Sequence, residues 1–99
     1  MHLPIQVDPQ RIADFCQRHH IRKLAFFGSV LRDDFRPDSD VDVLLEFELD
    51  HIPGLFGLMS MQLEFSDMIG RTADFRAPGD LSRYFRDRVI AEAEVLYAA

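Results

Sequence analysis

Residues 28–47 read GSVLRDDFRPDSDVDVLLEF, and the order of residue types along this stretch decides the fold. The preceding segment, Lys23 to Phe27, is short, apolar and aromatic and stops at Gly28, the pattern of a buried strand breaking into a tight turn. Ser29 stands where a helix can begin. After the turn-forming run RPDSD, the segment VDVLLEF from Val41 to Phe47 reads as a second strand. Asp40 and Asp42 lie two positions apart at the start of that strand. Side chains alternate across a strand, so both carboxylates project from one face, with Cα atoms about 6.5 to 7 Å apart.

Working outward, Asp8 followed by Pro9 has the form of a helix cap and first helical residue. Ile12, Phe15, Cys16 and His19 follow at helical spacing as an apolar stripe. Cys16 and His19 are expected to be packing residues, and the adjacent His19 and His20 face different directions on a helix, which argues against a joint metal site. Downstream, Pro53 and Gly54 precede an apolar helix from Leu55 to Ile69 that Gly70 ends. Leu58, Met61, Phe65 and Met68 make one stripe of that helix. Leu55, Phe56, Met59 and Leu63 widen it, either as a thick core contact, the favoured reading, or as a partner surface. Thr72 to Arg76 is a third short strand. A last helix is expected from Leu81 to Ala98, with Asp80 as its cap, Leu81, Phe85, Val89, Ala93 and Leu96 inside, and Arg83, Arg86 and Arg88 on its solvated face or, alternatively, meeting an acidic partner or the nucleotide base. The expected order is α, β, turn, β, α, β, α: a single α/β domain over residues 1–99, with a small mixed sheet carrying acidic residues at one edge and helices packed behind it.

Paired carboxylates on one strand face can share a divalent metal. Phosphoryl-type transfer commonly uses two such ions about 3.5 to 4 Å apart, and holding both needs further ligands. Asp74, within GRTADF, supplies a third carboxylate if its strand lies beside the second. Free backbone N–H groups at the Gly28–Ser29 turn can meet phosphate oxygens, and Gly28 lets the backbone approach a ligand closely or adopt a positive φ. Arg32, one helical turn on, can reach the phosphates or brace the acidic loop. Other metal and nucleotide motifs fail on inspection. An EF-hand loop begun at Asp38 meets Val43 where glycine is required and Leu49 where the closing glutamate belongs. Lys23 is the only lysine and no phosphate-binding GxxxxGKS/T element is present, nor is a GxSxG elbow.

A Gly-Ser pair or an Asp-x-Asp alone is usually an ordinary turn or a solvated loop; the combination resembles the DNA polymerase β-like nucleotidyltransferase superfamily, and within it the minimal nucleotidyltransferase (MNT) group. The family pattern of Gly-Ser, an arginine and Ser-Asp-x-Asp falls on Gly28, Ser29, Arg32, Ser39, Asp40 and Asp42. One departure is Asp33, where many members carry glycine. The resemblance implies that Gly28, Ser29, Arg32 and Ser39 bind the nucleotide and that Asp40, Asp42 and Asp74 hold two Mg²⁺ ions. Asp74 is also the candidate base. It further implies AMP transfer from ATP to a hydroxyl, and for chains this short an antitoxin whose acceptor is a tyrosine of a HEPN-domain toxin. Two alternatives stand beside it: a binding-only antitoxin acting by occlusion, and a small-molecule (drug) nucleotidyltransferase completed by dimerisation.

Composition sets the outer bounds. With 99 residues, 47% hydrophobic and 28% charged, the chain has the make-up of a globular domain, and its small size makes homo-oligomerisation unsurprising. A formal net charge of −6 without a basic run disfavours stable nucleic-acid binding, although bound metal can still present positive charge to phosphates. One cysteine rules out an intrachain disulfide. The N-terminus lacks a signal-peptide pattern, and no apolar run approaches a membrane span, so a cytoplasmic location is the expectation.

Overall fold

The computed structural model describes residues 7–31, 36 and 39–99, apart from the Ser29 side chain. Helix α1 (Pro9–Arg18) begins as its sequence requires: Asp8 is extended and its carboxylate accepts from the Gln10 N–H at 3.0 Å. Pro9 occupies a position where a missing N–H costs nothing. Strand β1 (Ile21–Phe27) ends at Gly28, and a 3₁₀ turn, Gly28–Leu31, stands where a helix was expected to start. Strand β2 (Val41–Phe47) matches its sequence reading, and a second 3₁₀ turn covers Leu49–His51. Helix α2 (Leu55–Ile69) closes on Gly70, whose φ of 70° is the left-handed conformation a non-glycine residue adopts only at a cost. Strand β3 (Ala73–Arg76) follows, then a 3₁₀ turn at Pro78–Asp80, helix α3 (Arg86–Glu92) and strand β4 (Glu94–Ala98).

The long C-terminal helix expected over Leu81 to Ala98 does not form. Asp80 does not cap a helix; its Oδ2 accepts from the Ala77 N–H at 3.0 Å and closes the turn behind it. The segment after α3 instead pairs with the edge of β1, placing Val95 opposite Ala25 and Tyr97 opposite Leu24. A β-branched and an aromatic residue suit a pleated surface, and the hydrogen bonds available along an open strand edge outweigh a helical periodicity that is weak locally. Arg86 is likewise no solvated-face residue: it is half-buried, and its Nη2 donates to the Leu81 carbonyl at 3.0 Å.

The four strands form one mixed sheet in the order β3-β2-β1-β4, with β1 antiparallel to both neighbours and β2 parallel to β3. A parallel pair needs a crossover, which α2 supplies. Leu24, Phe26, Val41, Val43, Leu45, Ala73 and Phe75 share a core with Ile12, Phe15 and Cys16 of α1 and Met61 and Phe65 of α2. Phe65 is its hub, with ring centroids 5.3 Å from Phe15, 5.7 Å from Phe75 and 6.3 Å from Phe26. Burial pushes the Cys16 thiol up to about 12, in keeping with a packing role. Helix α2 also seals the outer edge of β3, since the Ala73 N–H donates to Ser66 Oγ and the Phe75 N–H to Gln62 Oε1, both at 2.9 Å. Glu64 joins the two helices by accepting from Arg18 and meeting His19 Nε2 at 2.9 Å.

Of the two stripes on α2, the one formed by Leu58, Met61, Phe65 and Met68 packs into or against the core. The second does not. Leu55, Phe56, Met59 and Leu63 are 52 to 85% exposed, so the surplus apolar surface is not a thick core contact. No helix among the described residues is long and apolar enough to cross a membrane.

Candidate active site

Strand register assembles the site. The Val41 N–H donates to the Thr72 carbonyl at 2.8 Å and opens the parallel ladder, in which Asp42 is the direct partner of Asp74. Neighbouring strands run about 4.8 Å apart, so the two carboxylates stand side by side on one face of the sheet. Their neighbours Val41, Val43, Ala73 and Phe75 alternate to the other face and are buried in the core, which fixes the direction of the aspartates against a register slip. Asp40 is exposed, one residue ahead of β2. Asp74 has a cationic neighbour two residues along its own strand: Arg76 Nη2 lies 3.1 Å and Nε 3.3 Å from Asp74 Oδ2.

The Gly28 turn meets the same point from β1. Phe27 pairs with Asp42, so the chain leaves the sheet beside that carboxylate. Gly28 has φ +75°, and a Cβ placed on it would overlap Asp42 Oδ2 and sit 3.2 Å from Asp42 Cγ. The absence of a side chain therefore serves the carboxylate as well as any phosphate. Ser29 continues the turn through its backbone. Arg32 and the departing residue Asp33 lie outside the described residues.

Arg36 and Ser39, the described ends of the acidic turn, are bonded to each other and to one distant cation. The Ser39 N–H donates to the Arg36 carbonyl at 3.0 Å, and Ser39 Oγ accepts from the Arg36 N–H at 3.1 Å while keeping its own proton to donate. Arg71, just beyond the left-handed end of α2, sends Nη2 to the carbonyls of Arg36 at 2.7 Å and of Ser39 at 3.2 Å. It thus ties the turn carrying Asp40 to the helix that precedes Asp74. Neither Arg71 nor Arg76 was evident as a site residue in the sequence. For Arg76 the signal was present, because it stands two positions from Asp74 on a strand, the spacing that relates Asp40 to Asp42. Arg71 acts across 32 and 35 residues of chain on backbone atoms, which no side-chain pattern reveals.

The donors offered by Asp40, Asp42 and Asp74 are all carboxylate oxygens, a hard set that suits Mg²⁺ rather than a thiolate- or imidazole-seeking ion. Against known proteins, residues 10–99 match the family described as "Polymerase beta, Nucleotidyltransferase". MJ0435 of Methanocaldococcus jannaschii, provisionally named a protein adenylyltransferase, is 25% identical over 84 residues, covering 85% of this chain and 88% of that protein. Protein adenylyltransferase MntA of Thermococcus cleftensis is 29% identical over 76 residues, covering 77% of this chain and 75% of its own. A solved structure described provisionally as a minimal nucleotidyltransferase superposes with a TM-score of 0.70 at 29% identity, over 86% of this chain and 85% of that one. The fold recurs at 12% identity, with a TM-score of 0.73, in a toxin–antitoxin structure with AMP-PNP that is matched over 94% of this chain and 75% of the other. A family match spanning nearly the whole chain, on a fold that pairs Asp42 with Asp74 beside a glycine turn, makes this protein a member of the polymerase β nucleotidyltransferase family and an enzyme of nucleotidyl transfer.

Proposed function

We propose that the protein is the antitoxin of a toxin–antitoxin pair and that it moves AMP from ATP to a tyrosine hydroxyl of a HEPN-domain toxin. The observation that carries the chemistry is the pairing of Asp42 with Asp74 where Gly28 turns the chain. Asp40, Asp42 and Asp74 would hold two Mg²⁺ ions, which when bound offset phosphate charge and the charge developing on the attacking and leaving oxygens. The turn at Gly28 and Ser29 offers backbone N–H groups, with Arg32 and Ser39 as further donors, to orient the triphosphate so that its α-phosphorus faces the acceptor. The acceptor oxygen forms the new bond to phosphorus, pyrophosphate leaves in line, and Asp74 is the candidate to take the hydroxyl proton. Arg76 holds Oδ2 of that carboxylate and so orients it, with Oδ1 as the oxygen that would take the proton. The choice of AMP and of a toxin rests on the names of the relatives, protein adenylyltransferases, and on the toxin–antitoxin structures that share the fold.

A second reading has its own support. The exposed stripe of Leu55, Phe56, Met59 and Leu63 is a docking surface of the kind an inhibitor acting by occlusion would use. Toxin neutralisation by Asp42→Asn separates the two, because the amide keeps the volume of the carboxylate and removes its charge. Under the catalytic reading this folded variant loses transfer by orders of magnitude and no longer protects. Full protection by the variant, with no dependence on ATP, would establish occlusion instead.

A further inference from the structure

The β1–β2 ladder has Phe27 opposite Asp42 at one end and Ile21 opposite Phe47 at the other. The second end lies roughly 17 to 20 Å of strand away from the aspartates. His20 immediately precedes β1 there, Glu48 immediately follows β2, and His51 ends the next 3₁₀ turn. One ligand atom from each of the three comes within 4.8 Å of the others. We propose that His20, Glu48 and His51 form a binding site for a borderline divalent transition ion, Zn²⁺ in particular, separate from the carboxylate centre.

The geometry goes further than three polar side chains sharing a surface. The two imidazoles stack with centroids 3.7 Å apart and planes 16° from parallel, and both Nδ1 atoms lie 3.7 Å from the same oxygen, Glu48 Oε2. That separation is too long for a hydrogen bond. It is close to the roughly 3.3 Å that separates two ligands of a tetrahedral zinc with bonds of about 2.0 to 2.1 Å. Backbone hydrogen bonds hold the frame: the Glu48 N–H donates to the His20 carbonyl and the His51 N–H to the Glu48 carbonyl, both at 2.9 Å. Because a metal–imidazole bond lies in the ring plane, one ring must turn out of the stack to share an ion with the other, a movement that two exposed side chains make without moving a strand. His20 has a left-handed φ of 57° directly after the C-cap of α1, the usual way a helix ends, so the helix terminus sets its backbone. His19 is not part of this group, since its Nε2 faces Glu64.

Two imidazoles and one carboxylate select zinc, copper or nickel over magnesium, and three protein ligands leave a fourth position to water. The chain would then sort metals by donor type, Mg²⁺ to carboxylate oxygens at one end of the hairpin and Zn²⁺ to imidazole nitrogens at the other. Bound zinc would staple the α1–β1 turn to the β2–α2 connection and stabilise the fold by mass action.

The test is a Zn²⁺ titration of the whole chain against a chromogenic chelator, in excess Mg²⁺ so that the aspartates are not the zinc site. The expected result is one Zn²⁺ per chain, with affinity reduced about tenfold or more in each of His51→Ala, Glu48→Gln and His20→Asn. Asparagine tolerates the left-handed backbone, so the last variant removes the ligand and keeps the turn. Asp42→Asn should leave zinc affinity unchanged, and Co²⁺ in place of Zn²⁺ should give the visible absorption of a four-coordinate nitrogen and oxygen site that His51→Ala abolishes. Should His20→Asn fail to fold, the other two variants decide the matter. No zinc uptake at micromolar concentration, ligand variants that bind as the wild type does, or uptake lost in Asp42→Asn would each overturn the proposal.

Discussion

At the scale of single residues, Gly28 answers to two requirements at once, a left-handed backbone and an open approach for the Asp42 carboxylate. The positive φ and a close approach to a ligand were legible in the sequence, but the Asp42 contact was not, because the antiparallel partner of Phe27 is a matter of register and cannot be read from spacing. Gly28→Ala is therefore expected to destabilise the fold by about 1 to 2 kcal/mol through its positive φ. It should also cut turnover at least tenfold by displacing Asp42, with Gly28→Val worse on both counts. Thermal unfolding and nucleotide titration calorimetry check this, and full ATP affinity in Gly28→Val would remove the glycine from the site. Glu64 belongs to the same scale. The hydrogen bond from Arg18 holds its carboxyl below the usual range, opposed by some burial and helped by His19. With the folded group depressed, this link contributes stability above the ordinary glutamate range and loses it as pH falls through the lower folded value. Glu64→Gln should accordingly flatten the acid limb of the stability curve; an unchanged limb would show that the link contributes nothing.

Among elements, the connection between α2 and β3 does more than span a crossover, because Arg71 holds two carbonyls of the turn that presents Asp40. Charge-assisted hydrogen bonds are worth about 1.5 to 3 kcal/mol when well formed. Arg71→Ala is expected to lower kcat about tenfold or more with a smaller change in KM, and Arg71→Lys to recover part of it. A lower Tm with normal kcat would mark Arg71 as structural only. Most elements were readable because their ends carry chemical signals, namely Asp8 with Pro9, Gly28, and Gly70. The C-terminal part was not. The apparent stripe from Leu81 to Leu96 has the right period for a helix, yet Glu94–Ala98 answers to the open edge of β1, a partner about 70 residues away in sequence. The spacing of Asp40 and Asp42 at the start of β2 was legible in the sequence, whereas the neighbour relation of Asp42 and Asp74 needed the parallel ladder itself.

Across the whole molecule, two surfaces stand apart: the sheet face with the aspartates, and the outward stripe of α2 that the core leaves uncovered. If a toxin seats on that stripe, Phe56→Glu with Leu63→Glu should abolish the complex in size-exclusion chromatography while leaving the far-UV spectrum and Tm nearly unchanged, because both side chains are largely exposed. A complex that survives both charges would place the interface elsewhere. The central claim is that this fold transfers AMP to its partner, and intact-mass spectrometry of the toxin after incubation with the protein, ATP and Mg²⁺ tests it most directly. The account predicts a toxin heavier by one or more AMP groups, on tyrosine, with wild type and none with Asp42→Asn; an unmodified toxin that is nonetheless fully neutralised by both proteins would contradict it.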